Sequence, residues 1–184
     1  MLFNNIEFAY FFTVVYLLYW FVFNKNLKQQ NLFLLFASFF FFGCFDWRFL
    51  FLLVFSILLD FFVAEKIDQS QKHKKKWLWL SIAVNLCFLG FFKYFNFFID
   101  NVSEASSQLG FGHLNWSLKI ILPVGISFYT FHGLSYVIDV YKGRIKPVKS
   151  LTDYSLFVSF FPLLVAGPIE RAGHLLPQLQ TRRT

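Results

Sequence analysis

Tyr129, His132, Tyr136 and Asp139 follow one another at spacings of three, four and three residues, so on a helix they share one stripe. An imidazole titrates near neutral pH and can take a proton from a hydroxyl, which makes His132 the residue of this set most suited to acid–base work. Two readings of the stripe stand side by side. It lines a polar chamber, or it is a hydrogen-bonded packing ladder with Asp139 at the edge of the apolar run. Pro123 and Gly125 lie just upstream, where a helix can bend and turn carbonyls toward a cavity. The chain shows no Ser-His-Asp set, no thiol in a polar setting, no metal-spaced histidines and no glycine-rich phosphate loop. No catalytic residue and no metal site are therefore assigned.

Other ionisable groups fall inside apolar runs, where burial costs several kcal/mol unless the group pairs or meets water. Asp60 sits four residues before the end of one run, as an interfacial carboxylate or as part of a buried structural pair. Lys93, in Phe91-Phe92-Lys93-Tyr94-Phe95-Asn96, can snorkel to the headgroups. Gly167-Pro168-Ile169-Glu170-Arg171 places a charged pair directly after a broken apolar segment. Pro168 and Arg171 can shape and charge the mouth of a cavity, with Arg171 drawing in an anion; alternatively Arg171 marks the cytoplasmic end of a span. His174 to Leu179 reads as the start of an interfacial segment.

The elements that would carry these residues are membrane helices. Of 184 residues, 57% are hydrophobic, 15% are charged and thirty are phenylalanine, which leaves too little polar surface for a water-soluble globule. The net charge of +7 comes from lysines clustered between apolar runs, a pattern that reports orientation and not nucleic-acid binding. Cys44 and Cys87 lie within apolar runs and behave as small hydrophobes.

A span takes about 20 apolar residues. On that measure the sequence predicts an all-α, polytopic chain with about five spans: Ile6 to Phe23, Asn31 to Phe45, Phe49 to Ala64, Trp77 to Ile99 and Leu118 to Tyr141. A sixth segment, Ser155 to Ile169, is broken or re-entrant because it holds Pro162 and Gly167-Pro168. Asp46-Trp47-Arg48 is read as the turn of a tight helical hairpin, and Asn101 to Gly112 as a polar, mobile external loop. Lys25 and Lys28, the Lys66 to Lys76 cluster, and Lys142 to Lys149 mark cytoplasmic loops, which puts the N-terminus outside. The N-terminus lacks a basic region and cleavage site, so the first run is expected to stay in the mature chain.

At Leu122-Pro123-Val124-Gly125-Ile126-Ser127-Phe128-Tyr129, at Leu134-Ser135-Tyr136-Val137-Ile138-Asp139-Val140-Tyr141-Lys142-Gly143 and at Ala166-Gly167-Pro168-Ile169-Glu170-Arg171, the sequence resembles the membrane-bound O-acyltransferase family, in its alginate O-acetyltransferase branch. Asp46-Trp47-Arg48, Leu59-Asp60-Phe61 and the segment around Lys93 look similar too. The resemblance implies part of a helical ring with funnels from both faces. It implies transfer of an acyl group, acetyl in this branch, from a cytoplasmic thioester donor, as co-substrate and not as a bound cofactor, to hydroxyls of an exported polysaccharide. It further implies a bacterial inner-membrane location, a polysaccharide acceptor and periplasmic acetylation partners.

The family's essential histidine belongs to a segment beyond the Gly-Pro-Ile-x-Arg motif, and nothing here matches it. The chain is thus expected to be the N-terminal portion of a single membrane domain, residues 1–184, whose C-terminal part is missing and which is inactive alone. A transporter or flippase-like protein, or a non-catalytic membrane partner of a polysaccharide export complex, is the alternative from another class.

Overall fold

In the computed structural model, residues 5–70, 72–108, 120–164, 167 and 170–182 are described, and all regular secondary structure among them is helical. Helix α1 (Ile6–Leu17) widens into one π-helical turn over Leu18–Val22. Helix α2 (Leu27–Asp46) starts where the Asn26 side chain accepts the Lys28 N–H at 3.0 Å, capping an otherwise unsatisfied donor. It stops at Asp46, whose extended backbone and side chain bonded to the Arg48 N–H launch a short 3₁₀ turn, Trp47–Phe49, before α3 (Leu50–Gln69). The beginning of α2 and the second half of α3 meet neighbouring residues of one later helix, through Asn31 to Asp153 and Phe61 to Tyr154. The two arms are therefore antiparallel, and the expected hairpin is present.

Helix α4 runs from Lys74 to Gln108 without interruption, about 52 Å at 1.5 Å per residue. The stretch Asn101–Gln108, expected as a mobile loop, is its last two turns. Ser, Glu and Gln are polar but do not break a helix, and no proline or glycine falls there. The rest of that expected loop lies outside the described residues. Helix α5 (Ile126–Tyr141) begins eight residues later than the expected fifth span, after Gly125 at φ +74°, a left-handed value that favours glycine. At about 24 Å it is shorter than a hydrocarbon core of about 30 Å. It ends on Gly143 at φ +69°, with Gly143 N–H donating to Val140 O and Arg144 N–H to Asp139 O, the paired bonds of a Schellman cap.

The sixth segment is broken as expected, but it begins earlier. Helix α6 (Leu151–Ser159), capped by Ser150, breaks at Phe160 and resumes as α7 (Phe161–Leu164), with Pro162 in its first turn. The Phe161 N–H set free by the break donates to Ser38 Oγ of α2 at 3.3 Å. Helix α8 (Ala172–Gln180) follows. Only the run Leu27–Gln69 and α4 are long and apolar enough, among the described residues, to cross a membrane, while Ile6–Val22 and Leu151–Leu164 are apolar but shorter.

Packing places α3 against α4 and α5, and α2 against α6. Phenylalanines fill the other junction: Phe8 and Phe11 of α1 close on Phe41 of α2 and Phe161 of α7, with ring centroids 5.4 to 6.5 Å apart. The C-terminal helix is tied in by buried Asn31, whose amide donates to Leu179 O at 2.7 Å and to Asp153 Oδ1 at 2.9 Å. Asn31→Ala leaves that carbonyl unsatisfied, a loss of about 1–3 kcal/mol. The expected outcome is faster amide hydrogen exchange across α8, with α4 unchanged; equal protection of α8 in both proteins would contradict the tie.

Candidate functional site

Buried polar side chains collect where α3, α4 and α5 meet. Asp60 is wholly buried, and its Oδ1 accepts the Ser81 hydroxyl at 2.6 Å and the Asn85 amide at 2.8 Å. Ser56 donates to Asn85 Oδ1 at 2.9 Å, so two i, i+4 pairs, Ser56 with Asp60 and Ser81 with Asn85, interlock across the helices. Asp60 Oδ2 has no hydrogen-bond partner and faces Gly133 of α5, where a Cβ would overlap it. The same absent Cβ would lie 3.7 Å from the Tyr154 hydroxyl, which is also buried without a partner. Asp60 is thus buried among neutral donors, with no cation beside it among the hydrogen bonds and ion pairs of the described residues.

The four stripe residues are all buried on α5, but they meet different neighbours. The Tyr129 ring lies 6.4 Å from Phe42 of α2. His132 Nε2 accepts the Glu170 N–H at 3.2 Å, and its ring stands edge-on to Phe157 at 5.5 Å. That bond leaves the proton of the neutral ring on Nδ1, which is buried and has no partner. Tyr136 accepts the Val148 N–H at 2.9 Å and packs on Tyr154 with centroids 4.5 Å apart. Asp139 takes the Arg144 guanidinium at 3.1 Å at the end of the helix. As folded, two of the four tie later backbone to α5, Tyr136 at Val148 and His132 at Glu170, while the buried Tyr129 hydroxyl has no partner.

Arg171 is exposed and stands at the start of α8, while Glu170 pairs with His174 at 3.0 Å. Pro168 lies outside the described residues. Lys93 is exposed on α4, its ammonium 5.6 Å from the Tyr94 ring centre, and is not part of the buried cluster. At the hairpin turn, the Arg48 guanidinium bonded at 2.6 Å to Asp46 holds that carboxyl below the usual carboxylate range. Sequence reading overlooked Ser56, Ser81, Asn85 and Tyr154. The i, i+4 spacing of Ser56 to Asp60 and of Ser81 to Asn85 was a usable sign, since each pair must share a helix face.

Comparison with known proteins bears on what such a bundle does. The chain is 36% identical over 187 residues to the probable alginate O-acetylase AlgI of Pseudomonas aeruginosa and 34% identical over 185 residues to that of Pseudomonas syringae pv. tomato, in each case across 99% of this chain. It is 35% identical over 211 residues to the peptidoglycan O-acetyltransferase of Helicobacter pylori, again across 99% of its length. The chain is similar to these alginate and peptidoglycan O-acetylases. It spans 35% of the two Pseudomonas proteins and 39% of the Helicobacter one. The resemblance to the alginate O-acetyltransferase branch, read from separate motifs, thus extends along the whole chain. No protein-family profile matches it, and no solved structure does.

Proposed function

We propose that this chain is a membrane-embedded part of an O-acetyltransferase that acylates hydroxyls of an exported polysaccharide, with acetyl drawn from a cytoplasmic thioester. The observation that carries this reading is similarity to O-acetylases along 99% of the chain. A buried polar cluster held between apolar helices supports it, because polar groups at membrane depth are expensive and need a structural or functional use. In this reading the bilayer is the bacterial inner membrane, the N-terminus is outside and periplasmic proteins assist the transfer.

Tyr129, His132, Tyr136 and Asp139 then flank the central chamber, and Pro168 and Arg171 lie at the donor entrance. The Glu170 N–H bonded to His132 links these two groups, so the stripe positions the entrance segment. His132 acts here as a positioning residue, since its Nε2 is already engaged.

The test uses a chimera in which the matching third of the Pseudomonas aeruginosa protein is replaced by this chain. O-acetyl content of the exported polymer should be retained. Changing His132→Ala within the chimera should lower acetylation about tenfold, through loss of one charge-free anchoring bond of about 1–1.5 kcal/mol. His132→Gln, whose Oε1 can still accept the Glu170 N–H, should recover most of it. A stably inserted chimera that exports unacetylated polymer contradicts the acetyltransferase reading and favours a carrier.

A further inference from the structure

An apolar groove of about 290 Å³ runs between α1 and the α7–α8 segment, walled by Phe12, Tyr16 and Trp20 on one side and by Pro162, Leu175 and Leu179 on the other. Phe12 and Tyr16 are about half exposed along it. We propose that this groove seats an acyl chain of an anionic membrane phospholipid, with Lys25, Lys28 and Arg182 holding the headgroup. The inference rests on the membrane part of the reading above and not on the acetyl-transfer part.

Charge complementarity selects this occupant. Two hydrogen bonds bring the basic residues to one end of the groove. Gln30 Nε2 donates to Tyr19 O at 3.4 Å, fixing the π-helical turn on the start of α2, and Asn31 donates to Leu179 O at 2.7 Å, fixing the end of α8 there. Lys28 lies three residues before Asn31, Arg182 three after Leu179 and Lys25 six after Tyr19, so each is within a few residues of one of these bonds. All three are exposed. No Asp or Glu occurs between Leu18 and Gln30 or between Ala172 and Arg182; Glu170 is engaged by His174, and Asp153, the carboxylate beside this end, has its Oδ1 taken up by the Asn31 amide.

The groove lining is apolar except for the tyrosine hydroxyls, the Trp20 indole N–H and Gln178, and Tyr19 with Trp20 places amphipathic rings at the charged end, as at a headgroup boundary. A groove with an apolar floor and a basic rim meets both parts of an anionic lipid, with each basic residue worth roughly fivefold in affinity near such a headgroup.

The 184-residue chain would be placed in phosphatidylethanolamine vesicles carrying a trace of phosphatidylglycerol or phosphatidylcholine with a photoactivatable acyl chain. After irradiation, labelled peptides are mapped. The phosphatidylglycerol probe should label the Phe12–Trp20 and Leu175–Leu179 peptides at least several-fold more than the phosphatidylcholine probe. The exposed Phe97–Phe98 face of α4 should take both probes equally. Replacing Lys25, Lys28 and Arg182 together with Gln should remove the preference.

Equal labelling of the groove by both probes overturns the proposal, as does a protein cross-link there in place of lipid. Labelling on α4 without labelling in the groove overturns it while leaving the membrane reading intact. If α4 is unlabelled too, both fall. The comparison between probes needs no variant, so a misfolded triple mutant does not weaken it.

Discussion

Gly133→Ala is expected to unseat α5 from α3. In an exposed helix interior this change would stabilise the chain by roughly 0.5–1 kcal/mol through helix propensity. Here the new Cβ would overlap Asp60 Oδ2 and sit 3.2 Å from Asp60 Cγ. A carboxylate at the end of a free side chain would swing away, but this one is pinned on Oδ1 by Ser81 and Asn85. Either those bonds break or the helices move apart. Overpacking of about 1–3 kcal/mol and a strained hydrogen bond of similar size outweigh the propensity gain, for a net loss of about 2–4 kcal/mol.

The check is a double-mutant cycle read as the denaturation midpoint in micelles. Gly133→Ala should be severe alone and nearly neutral when Asp60 is already Ala, because the obstructing carboxyl has gone. Additive effects would show that the close approach is not what makes glycine necessary.

How far the sequence was legible follows from how strong each local rule is. Long apolar runs, divided by lysine clusters and by Asp46-Trp47-Arg48, place α1 to α3 and the start of α4 within about five residues, because about 20 apolar residues admit few alternatives to a helix. Pro123 and Gly125 were visible as a bend. The reading still carried the fifth span through them, because apolar composition continues across residues 118–125 although the backbone does not stay helical over the described part. The run of α4 to Gln108 goes beyond the expected span for the opposite reason: residues 101–108 are polar, but no helix breaker stands among them.

The stripe of Tyr129, His132, Tyr136 and Asp139 was correctly grouped on one helix by period alone. What period could not supply is the partner of each residue. Val148 N–H, Glu170 N–H and Arg144 come from segments whose return path is a tertiary matter. Likewise Asp60 stood out by its charge, while Ser81 and Asn85, neutral and set in an apolar run, did not.

That contrast between charge and hydrogen bonding leads to the second large effect, at Asp60 itself. Oδ1 takes both donors and Oδ2 takes none, so the cluster needs an acceptor at one oxygen. Asp60→Asn keeps that acceptor and puts an amide donor where Oδ2 was, on the side of the unpartnered Tyr154 hydroxyl. A change within about 1 kcal/mol of the parent is expected. Asp60→Leu, similar in size, removes the acceptor and strands the Ser81 hydroxyl and part of the Asn85 amide among apolar side chains, at about 2–4 kcal/mol.

The separation between the two variants is the result to look for, measured as denaturation midpoints and as protease resistance of the α3–α4 pair. If Asn proves as damaging as Leu, the negative charge and not the acceptor is what the fold requires. The cluster would then have to be reconsidered as a site that holds a positive partner. If both are mild, the α3–α4–α5 junction is held by its apolar contacts alone, and the polar groups at its centre have no structural duty.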